Sequence, residues 1–348
     1  MIMLCFFFVL LQTSPLRSDA LTSNPKKPLF NPKPIGPIHT LILTRHGDSL
    51  WNGKYPGCRE TFTGWTDVDL SPIGEQEAIR TAKILSQTTR GVNIDALFTS
   101  TLTRAKMTAH YCWWAYYDRS NEPYQQRKDN EGDNTPGQFV MDYRLNERHY
   151  GSLQGLVKAD AEAGDHGHSP EDVYKWRRSW HAIPPPMEDN DPRRIEEFRK
   201  YGSYCDVPRS ESLSMVAENR IRPFLSERLT PILDDADNSN SSASFEDISQ
   251  NDSKIESGGT ALIVAHANSI RALIGVICNV EQDPHGLALG KLESMKIPTA
   301  SPLVIKYRKT TEEGRYFAVG SAGKNDSKNE LPVYLLSSLQ LMRKAASE

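Results

Sequence analysis

An arginine, a histidine and a glycine directly follow a short apolar segment. Residues 41–44 read Leu-Ile-Leu-Thr, and Arg45, His46 and Gly47 come next. A strand over the apolar segment would hold the imidazole in one place, and the forked guanidinium can pair with two phosphate oxygens. Glycine lets an anion approach the main chain closely. These residue types in this order indicate a histidine nucleophile that attacks phosphorus.

Two other apolar segments lead to polar side chains in the same way. Residues 94–98 lead to Arg104, and residues 260–265 end directly at His266. We predict a strand for each segment and a helix after it. The predicted helices span about 104–117 and about 269–280.

Another helix is predicted from Ser71 and Pro72, because serine is a common N-cap and proline fits the first helical position. Ile79, Ala82 and Leu85 follow at helical spacing and are expected to form its buried face. Strands that alternate with helices predict an α/β fold, with a mainly parallel sheet flanked by helices on both faces in three layers, α/β/α.

The predicted sheet brings distant residues together. In open sheets of this kind, residues at the carboxyl ends of the strands converge on one crevice. We therefore expect His46, Arg104 and His266 to share a site with Arg45. Two histidines and two arginines have no plausible core role, because buried like charges need an anionic partner.

Seven segments together make the chain resemble the 2,3-bisphosphoglycerate-dependent phosphoglycerate mutases, which are members of the histidine phosphatase superfamily. They occur in the order of that family, cover roughly residues 40–308, and include the run Asn146-Glu147-Arg148-His149-Tyr150-Gly151. The segments are 43–52, 62–71, 145–151, 175–178, 211–213, 265–273 and 297–299.

The resemblance implies an isomerase that interconverts 3-phosphoglycerate and 2-phosphoglycerate, with 2,3-bisphosphoglycerate as primer and intermediate and no metal. His46 would carry the phosphoryl group, and its other ring nitrogen is expected to donate to a backbone carbonyl. Arg45, Arg104 and a protonated His266 would hold the phosphate oxygens. Glu147 would move the proton of the substrate hydroxyl.

The resemblance also implies a substrate-binding set. Arg177 and Arg178, with Tyr150 and Lys158, would hold the substrate carboxylate, for which the planar guanidinium is suited. Uncharged donors are expected from Asn52 and from main-chain amides near Gly64 and Asn268. The complete predicted set is Asn52, Thr63, Gly64, Arg148, Tyr150, Lys158, Arg177, Arg178, Ala267 and Asn268.

Two residues differ from the family pattern. Asp48 stands where the family usually has glutamate, and Ala267 stands where it usually has glycine. We expect both to be tolerated, Ala267 on condition that its backbone needs no positive φ and no unusually close approach of the ligand.

Three other functions remain open. One is a histidine-type phosphatase that hydrolyses a phosphorylated small metabolite, and a second is a bisphosphoglycerate synthase or phosphatase. A third is an inactive member that only binds ligands. Arg177, Arg178 and the run 146–151 disfavour the phosphatase because they suit a carboxylated acceptor, and Ser49 mildly disfavours the synthase.

Composition limits the partners. The 41 basic and 44 acidic residues give a net charge of −3, which provides no overall basic field for nucleic acid. The cysteines at positions 5, 58, 112, 205 and 278 show no metal-ligand spacing. Small phosphoglycerates are the expected partners, and a homo-oligomer is left open.

The beginning of the chain resembles a targeting signal. Residues 2–11 form an apolar run that is too short to cross a bilayer but has the length of a signal-peptide core. We therefore expect a signal peptide over residues 1–20 and a basic, acid-free leader or linker over 21–38. Such a signal would direct the chain to the secretory pathway and onward to a plastid with extra membranes; secretion and a cytoplasmic location are the alternatives.

The rest of the chain, residues 39–348, is predicted to form one phosphoglycerate mutase-like catalytic domain. Residues 53–61 lengthen the loop after the proposed nucleophile. Exposed insertions are expected near 119–138 and 233–259, because these segments are polar and poor in apolar residues.

Overall fold

The computed structural model describes residues 33–88, 94–117, 138–203, 205–239, 257–283, 285–312, 315–319 and 334–335. The described residues belong to one compact unit. The expected signal peptide, most of the leader, residues 119–137 and residues 240–256 lie outside the described residues. No helix within the described ranges is both long and apolar enough to span a lipid bilayer.

A mixed sheet forms the centre of the fold. Its strands in the described residues are β1 (Pro34–Arg45), β2 (Ala96–Thr99), β3 (Gln138–Met141), β4 (Ser257–Ala265), β5 (Leu303–Thr310), β6 (Tyr316–Ala318) and β7 (Tyr334–Leu335). Their order in the sheet is β3-β2-β4-β1-β5-β6, and β7 pairs with β5. Strands β3, β2, β4 and β1 run parallel to one another, and β5 runs antiparallel to β1, β6 and β7.

Helices cover both faces of this sheet, which confirms the predicted α/β class. They are α1 (Pro72–Thr88), α2 (Thr103–Tyr117), α3 (Lys158–Ala163), α4 (Pro170–Arg178), α5 (Pro192–Tyr201), α6 (Leu213–Val216), α7 (Arg222–Phe224), α8 (Thr230–Ser239), α9 (Ala267–Ile277) and α10 (Leu287–Ser294). Two π-helical segments, Ala217–Ile221 and Leu225–Leu229, join α6, α7 and α8 into one helical run.

Alternate residues of the central strand enter different cores. Leu41 and Leu43 of β1 pack with the α6–α8 run and with α9. Ile42 packs on the opposite face, against α1 and α2. The segment is a continuous apolar run because this central strand is covered by helices on both faces of the sheet.

The start of α1 confirms the N-cap prediction, because Gly74 N donates to Ser71 Oγ at 3.1 Å. Its buried face differs from the predicted one. Ala82 and Leu85 are buried, but Ile79 is about half exposed and Ala78 is buried in its place. The buried series therefore starts one residue earlier, on the face that meets the sheet.

Other boundaries also differ from the sequence-based ones. Residues 34–38 of the expected leader belong to β1, because Pro34 and Ile35 pair with β5. Residues 233–239 of the expected insertion are helical, with Leu233 buried, and residues 257–259 belong to β4. Helix α9 ends at Ile277, just before Asn279, whose φ of 49° breaks the helix.

Candidate active site

The ends of β1, β4 and β2 bring two histidines and a serine together. His46 N donates to Ala265 O at 3.0 Å, so the strand pairing continues one residue beyond β1. The ring centroids of His46 and His266 are 5.0 Å apart. Nε2 of His266 lies 2.7 Å from Oγ of Ser100, which follows β2. Neighbouring strand ends therefore place both imidazoles at the same edge of the sheet.

The His46 ring is fixed in one tautomer. Its Nδ1 lies 2.7 Å from the carbonyl oxygen of Gly47, which confirms the expected backbone partner. Burial lowers the pKa of His46 well below its ordinary value of 6.5, and the cations Arg104 and Arg45 lower it further. A neutral ring must carry its proton on Nδ1 to donate to the carbonyl, so Nε2 keeps the free electron pair. This nitrogen is suited to attack phosphorus.

His266 is fully buried next to the proposed nucleophile. Burial lowers its pKa well below the ordinary value, and Arg104, His46 and Arg45 lower it further. The protein's own groups therefore favour a neutral imidazole. The protonated state predicted from the sequence depends on the charge of a bound phosphate, since a nearby anion favours the charged form.

The two predicted phosphate-binding arginines are held by main-chain carbonyls. Arg104 donates from Nη1 to Thr66 O and from Nη2 to Gly64 O, both at 2.9 Å. Arg45 donates from Nη1 to Ile297 O at 3.1 Å. Burial lowers the pKa of Arg104 to about 10, so its guanidinium stays charged at neutral pH. The carbonyls fix the position of these cations without neutralising them.

Gly47 has a different role from the one predicted for it. A Cβ on Gly47 would lie 2.3 Å from the carbonyl oxygen of Gly74 in α1. Its N–H donates to Thr108 Oγ1 at 3.0 Å and is therefore not free for an anion. The glycine is required because α1 packs directly against the end of β1, so the prediction of close anion approach at this residue is wrong.

The backbone around Glu147 is held by several long-range contacts. Trp65 Nε1 donates to Glu147 O at 2.7 Å. Arg220 donates from Nη1 to Asn146 O at 2.8 Å and forms a buried two-point ion pair with Glu211, both contacts at 2.9 Å. One side-chain oxygen of Glu147 accepts from Arg148 N at 2.7 Å. A carboxylate held in this way can exchange a proton with a ligand at a defined place.

These groups surround a cavity of about 390 Å³. Eight of its lining side chains are lysine or arginine and two are glutamate, so the cavity suits a small ligand with several negative charges. The predicted residues that line it are Arg45, His46, Asn52, Thr63, Gly64, Arg104, Glu147, Tyr150, Lys158, Arg177, Arg178, Ala267 and Asn268. His266 and Arg148, which were also predicted, are buried beside the cavity and do not line it.

The cations predicted to hold a carboxylate lie on α3 and α4. Lys158 Nζ pairs with Glu60 at 2.6 Å. Arg177 forms a close ion pair with Glu162, and its Nη2 lies 3.9 Å from Glu60. Both helices begin or end at the cavity, so the two clusters of positive charge, here and around His46, belong to one space.

Arg148 is buried beside the cavity and supports its wall. Its guanidinium stacks on the Tyr150 ring, 4.6 Å from the centroid. The Tyr150 hydroxyl accepts from Asn268 Nδ2, and Asn268 Oδ1 accepts from Arg271 Nη1, both at 2.8 Å. This chain of contacts fixes the orientation of the Asn268 amide.

The other predicted polar residues also have defined partners. Oδ1 of Asn52 accepts from both the N–H and the Oγ of Ser49 at 2.9 Å, which leaves its NH₂ group for a ligand. Ala267 begins α9 and is not among the positive-φ residues, which satisfies the backbone condition set for it. Asp48 is buried and accepts from Ser71 Oγ at 2.6 Å. Its carboxylate therefore holds the serine side chain that caps α1.

The structure adds cavity residues that sequence reasoning missed. Lys54 and Glu60 come from the lengthened loop 53–61, and nothing in the sequence showed which way that loop faces. Arg271 is three residues after Asn268 in α9, and this helical spacing could have identified it. Lys296 directly precedes the matched segment 297–299, whose residues also line the cavity. Within the part of the chain that the structure describes, no group of three His, Cys, Asp or Glu side chains could hold a metal ion.

Comparisons with known proteins agree with this geometry. A family model described as histidine phosphatase superfamily (branch 1) matches residues 41–113. A protein from Nitratidesulfovibrio vulgaris is 35% identical over 269 residues, which are 77% of this chain and 86% of that protein. One from Corynebacterium kroppenstedtii is 33% identical over 264 residues, 76% of this chain and 84% of that protein. Both are named 2,3-bisphosphoglycerate-dependent phosphoglycerate mutase.

A solved structure named mycobacterial hydrolase 1 has a similar fold. It superposes with a TM-score of 0.50 at 20% identity and covers 82% of this chain and 99% of its own. The sequence relatives, matched over most of their length, show the family directly. This chain belongs to the 2,3-bisphosphoglycerate-dependent phosphoglycerate mutase family, within the histidine phosphatase superfamily.

Proposed function

We propose that the protein interconverts 3-phosphoglycerate and 2-phosphoglycerate through a phosphohistidine at His46. The observation that carries the proposal is one cavity lined by two groups of cations. A neutral imidazole, that of His46, lies near Arg45 and Arg104, and Lys158, Arg177 and Arg178 line the same cavity. A ligand with a phosphate at one end and a carboxylate at the other matches this arrangement.

The reaction consists of two phosphoryl transfers. First, the C2 hydroxyl oxygen of 3-phosphoglycerate attacks the phosphorus on Nε2 of His46, the N–P bond breaks, and Glu147 takes the hydroxyl proton. Then Nε2 attacks the C3 phosphate, the P–O bond breaks, and Glu147 returns the proton to the C3 oxygen. Arg45, Arg104 and His266 neutralise the charge that spreads over the transferred oxygens.

The family's primer, 2,3-bisphosphoglycerate, supplies the phosphoryl group that first loads His46. The residues present fit it, because eight lysines and arginines line the cavity against two glutamates. Arg45 and Arg104 would hold one of its phosphates. Lys158, Arg177 and Arg178 would hold its remaining anionic groups.

Turnover of 3-phosphoglycerate, measured with and without added 2,3-bisphosphoglycerate, tests the proposal. Inorganic phosphate is measured in the same tube. We expect 2-phosphoglycerate to form at a rate that depends on the primer, with much slower phosphate release. Phosphate release at the full rate of substrate loss would instead identify a phosphatase, the alternative suggested by the family model's description.

The phosphorylated residue can be tested separately. His46→Ala should abolish an acid-labile, alkali-stable phosphoenzyme, and His181→Ala serves as the matched control because His181 is exposed and outside the cavity lining. Full labelling of the His46 variant would contradict the assignment.

We also propose that residues 1–20 direct the chain to the secretory pathway, with a plastid bounded by extra membranes as its final location. A fluorescent reporter fused to residues 1–40 tests this. Uniform cytosolic fluorescence with Met1 retained would contradict it. If the chain is instead secreted, the glycosylation sequons at Asn240, Asn251 and Asn325, which lie outside the described residues, become available.

A further inference from the structure

A carboxylate of the protein itself lies among the cations proposed to hold the substrate carboxylate. Oε1 of Glu60 is 2.6 Å from Nζ of Lys158 and 3.9 Å from Nη2 of Arg177. All three side chains line the cavity. One oxygen therefore faces both cations, as an oxygen of a bound carboxylate would.

Main-chain contacts hold Glu60 in this place. Lys158 N donates to the carbonyl oxygen of Glu60 at 2.8 Å, and Phe62 N donates to Leu156 O at 2.9 Å. Between these contacts, Thr61 forms an antiparallel bridge with Val157. The end of the 53–61 loop is thus docked against the start of α3, which keeps the main chain of Glu60 next to Lys158.

Glu60 carries the negative charge that it needs to compete with an anionic ligand. Burial alone would raise its pKa, but the positive charges of Lys158 and Arg177 outweigh this effect and hold the pKa below its ordinary value. Glu60 is therefore ionised at neutral pH. Its side chain is also about half exposed, so it can turn into solvent when another anion takes its place.

We propose that Glu60 competes with the ligand carboxylate for Lys158 and Arg177 and thereby sets the affinity of the site for carboxylated ligands. This inference rests on the proposed function. A ligand with a carboxylate must displace Glu60, and a phosphorylated ligand without one leaves the pair intact. The displaced Glu60 favours release, because it re-forms its ion pair as the ligand leaves.

Binding of two ligands to the full chain without 2,3-bisphosphoglycerate tests this inference. Dissociation constants are measured by calorimetry for 3-phosphoglycerate and for glycerol 3-phosphate, which has a hydroxymethyl group in place of the carboxylate. The proteins are the unmodified chain, Glu60→Gln and Glu171→Gln. Glu171 is a matched control because it is exposed, pairs with Lys175 at 2.8 Å and is outside the cavity lining.

We expect Glu60→Gln to bind 3-phosphoglycerate about two- to fivefold more tightly, the scale of an exposed ion pair. Its affinity for glycerol 3-phosphate should change much less, and Glu171→Gln should change neither. Unchanged or weaker binding of 3-phosphoglycerate by Glu60→Gln, or equal tightening of both ligands, would overturn the inference while leaving the proposed function intact. Equal affinity of Glu60→Gln for both ligands would overturn the proposed carboxylate site, and the inference with it.

Discussion

At the scale of single residues, Glu147 combines a fixed main chain with a side chain on the cavity. Its carbonyl accepts from Trp65 and its carboxylate accepts from the next backbone N–H. Glu147→Gln keeps the size of the side chain but cannot take up a proton. We expect kcat to fall by about a hundredfold or more and KM to change much less, as steady-state kinetics can measure.

The matched control for this variant is Glu75→Gln, in the exposed first turn of α1, which should leave kcat unchanged. Nearly normal turnover in Glu147→Gln would mean that another group moves the proton.

At the scale of elements, the contact between β1 and α1 determines where the nucleophile lies. A methyl group on Gly47 would meet the Gly74 carbonyl at 2.3 Å. Gly47→Ala must therefore push α1 away from the strand end, and we expect it to lower the free energy of unfolding by about 1–3 kcal/mol. We also expect kcat to fall, since the Gly47 carbonyl orients His46.

Urea unfolding and kinetics measure these effects. Gly290→Ala is the control, because no atom lies within 4 Å of the added methyl and α10 should be unaffected or slightly more stable. Equal stability of the two variants would show that α1 does not constrain this strand end.

The π-helical segment Ala217–Ile221 carries the cation that holds the Glu147 loop. Arg220 pairs with Glu211 inside the protein, and Glu211 also accepts from His149 N at 2.9 Å. Arg220→Met leaves a buried carboxylate unpaired and should cost about 3–5 kcal/mol of stability. Adding Glu211→Leu should restore part of that loss but not kcat. Urea unfolding of both single variants and the double variant measures the coupling, and strictly additive losses would contradict it.

At the scale of the whole molecule, buried neutral histidines make stability depend on pH. Burial lowers the pKa of His39 to about 4; the nearby Asp234 raises it and Lys309 lowers it. The unfolded chain therefore binds more protons than the folded one between about pH 4 and 6.5, so the free energy of unfolding decreases as the pH falls through this range. The His39 contribution is roughly 3 kcal/mol.

Urea unfolding at several pH values should show this loss on acidification. His39→Gln should reduce the slope of the free energy of unfolding against pH. Some slope should remain, because His46 and His266 also have lowered pKa values. An unchanged slope in the His39 variant would show that this residue is not the source.

The fold and the residues at the strand ends could be predicted from local patterns, whereas Glu147 and the substrate-binding set were predicted from the family resemblance. Apolar runs predict buried strands. The residues directly after such strands, such as His46 and His266, must then lie at the edge of the sheet. Lys54 and Glu60 could not be predicted in the same way. Their positions depend on contacts with Glu77 and Lys158, which lie in distant segments and follow no periodic pattern.

The role of Gly47 also depends on a contact with a distant segment, which the sequence does not show. A glycine next to a predicted nucleophile is compatible with either ligand approach or helix packing, and only the position of α1 distinguishes them. Boundaries within polar segments were missed for a related reason. Asp234 is held by Lys309 at 2.7 Å, a contact between distant strands and helices that composition does not show.

The pairing of β1 with β4 has a consequence for how such a protein can change over time. Arg45 is in register with Ala265, so the next residues along the two strands are neighbours whatever the length of chain between them. Mutations that lengthen or shorten intervening surface segments therefore leave the distance between the two imidazoles unchanged. Surface loops such as residues 53–61 can therefore change in length, and with them the ligands that are accepted, while the two strand ends and their imidazoles keep their spacing.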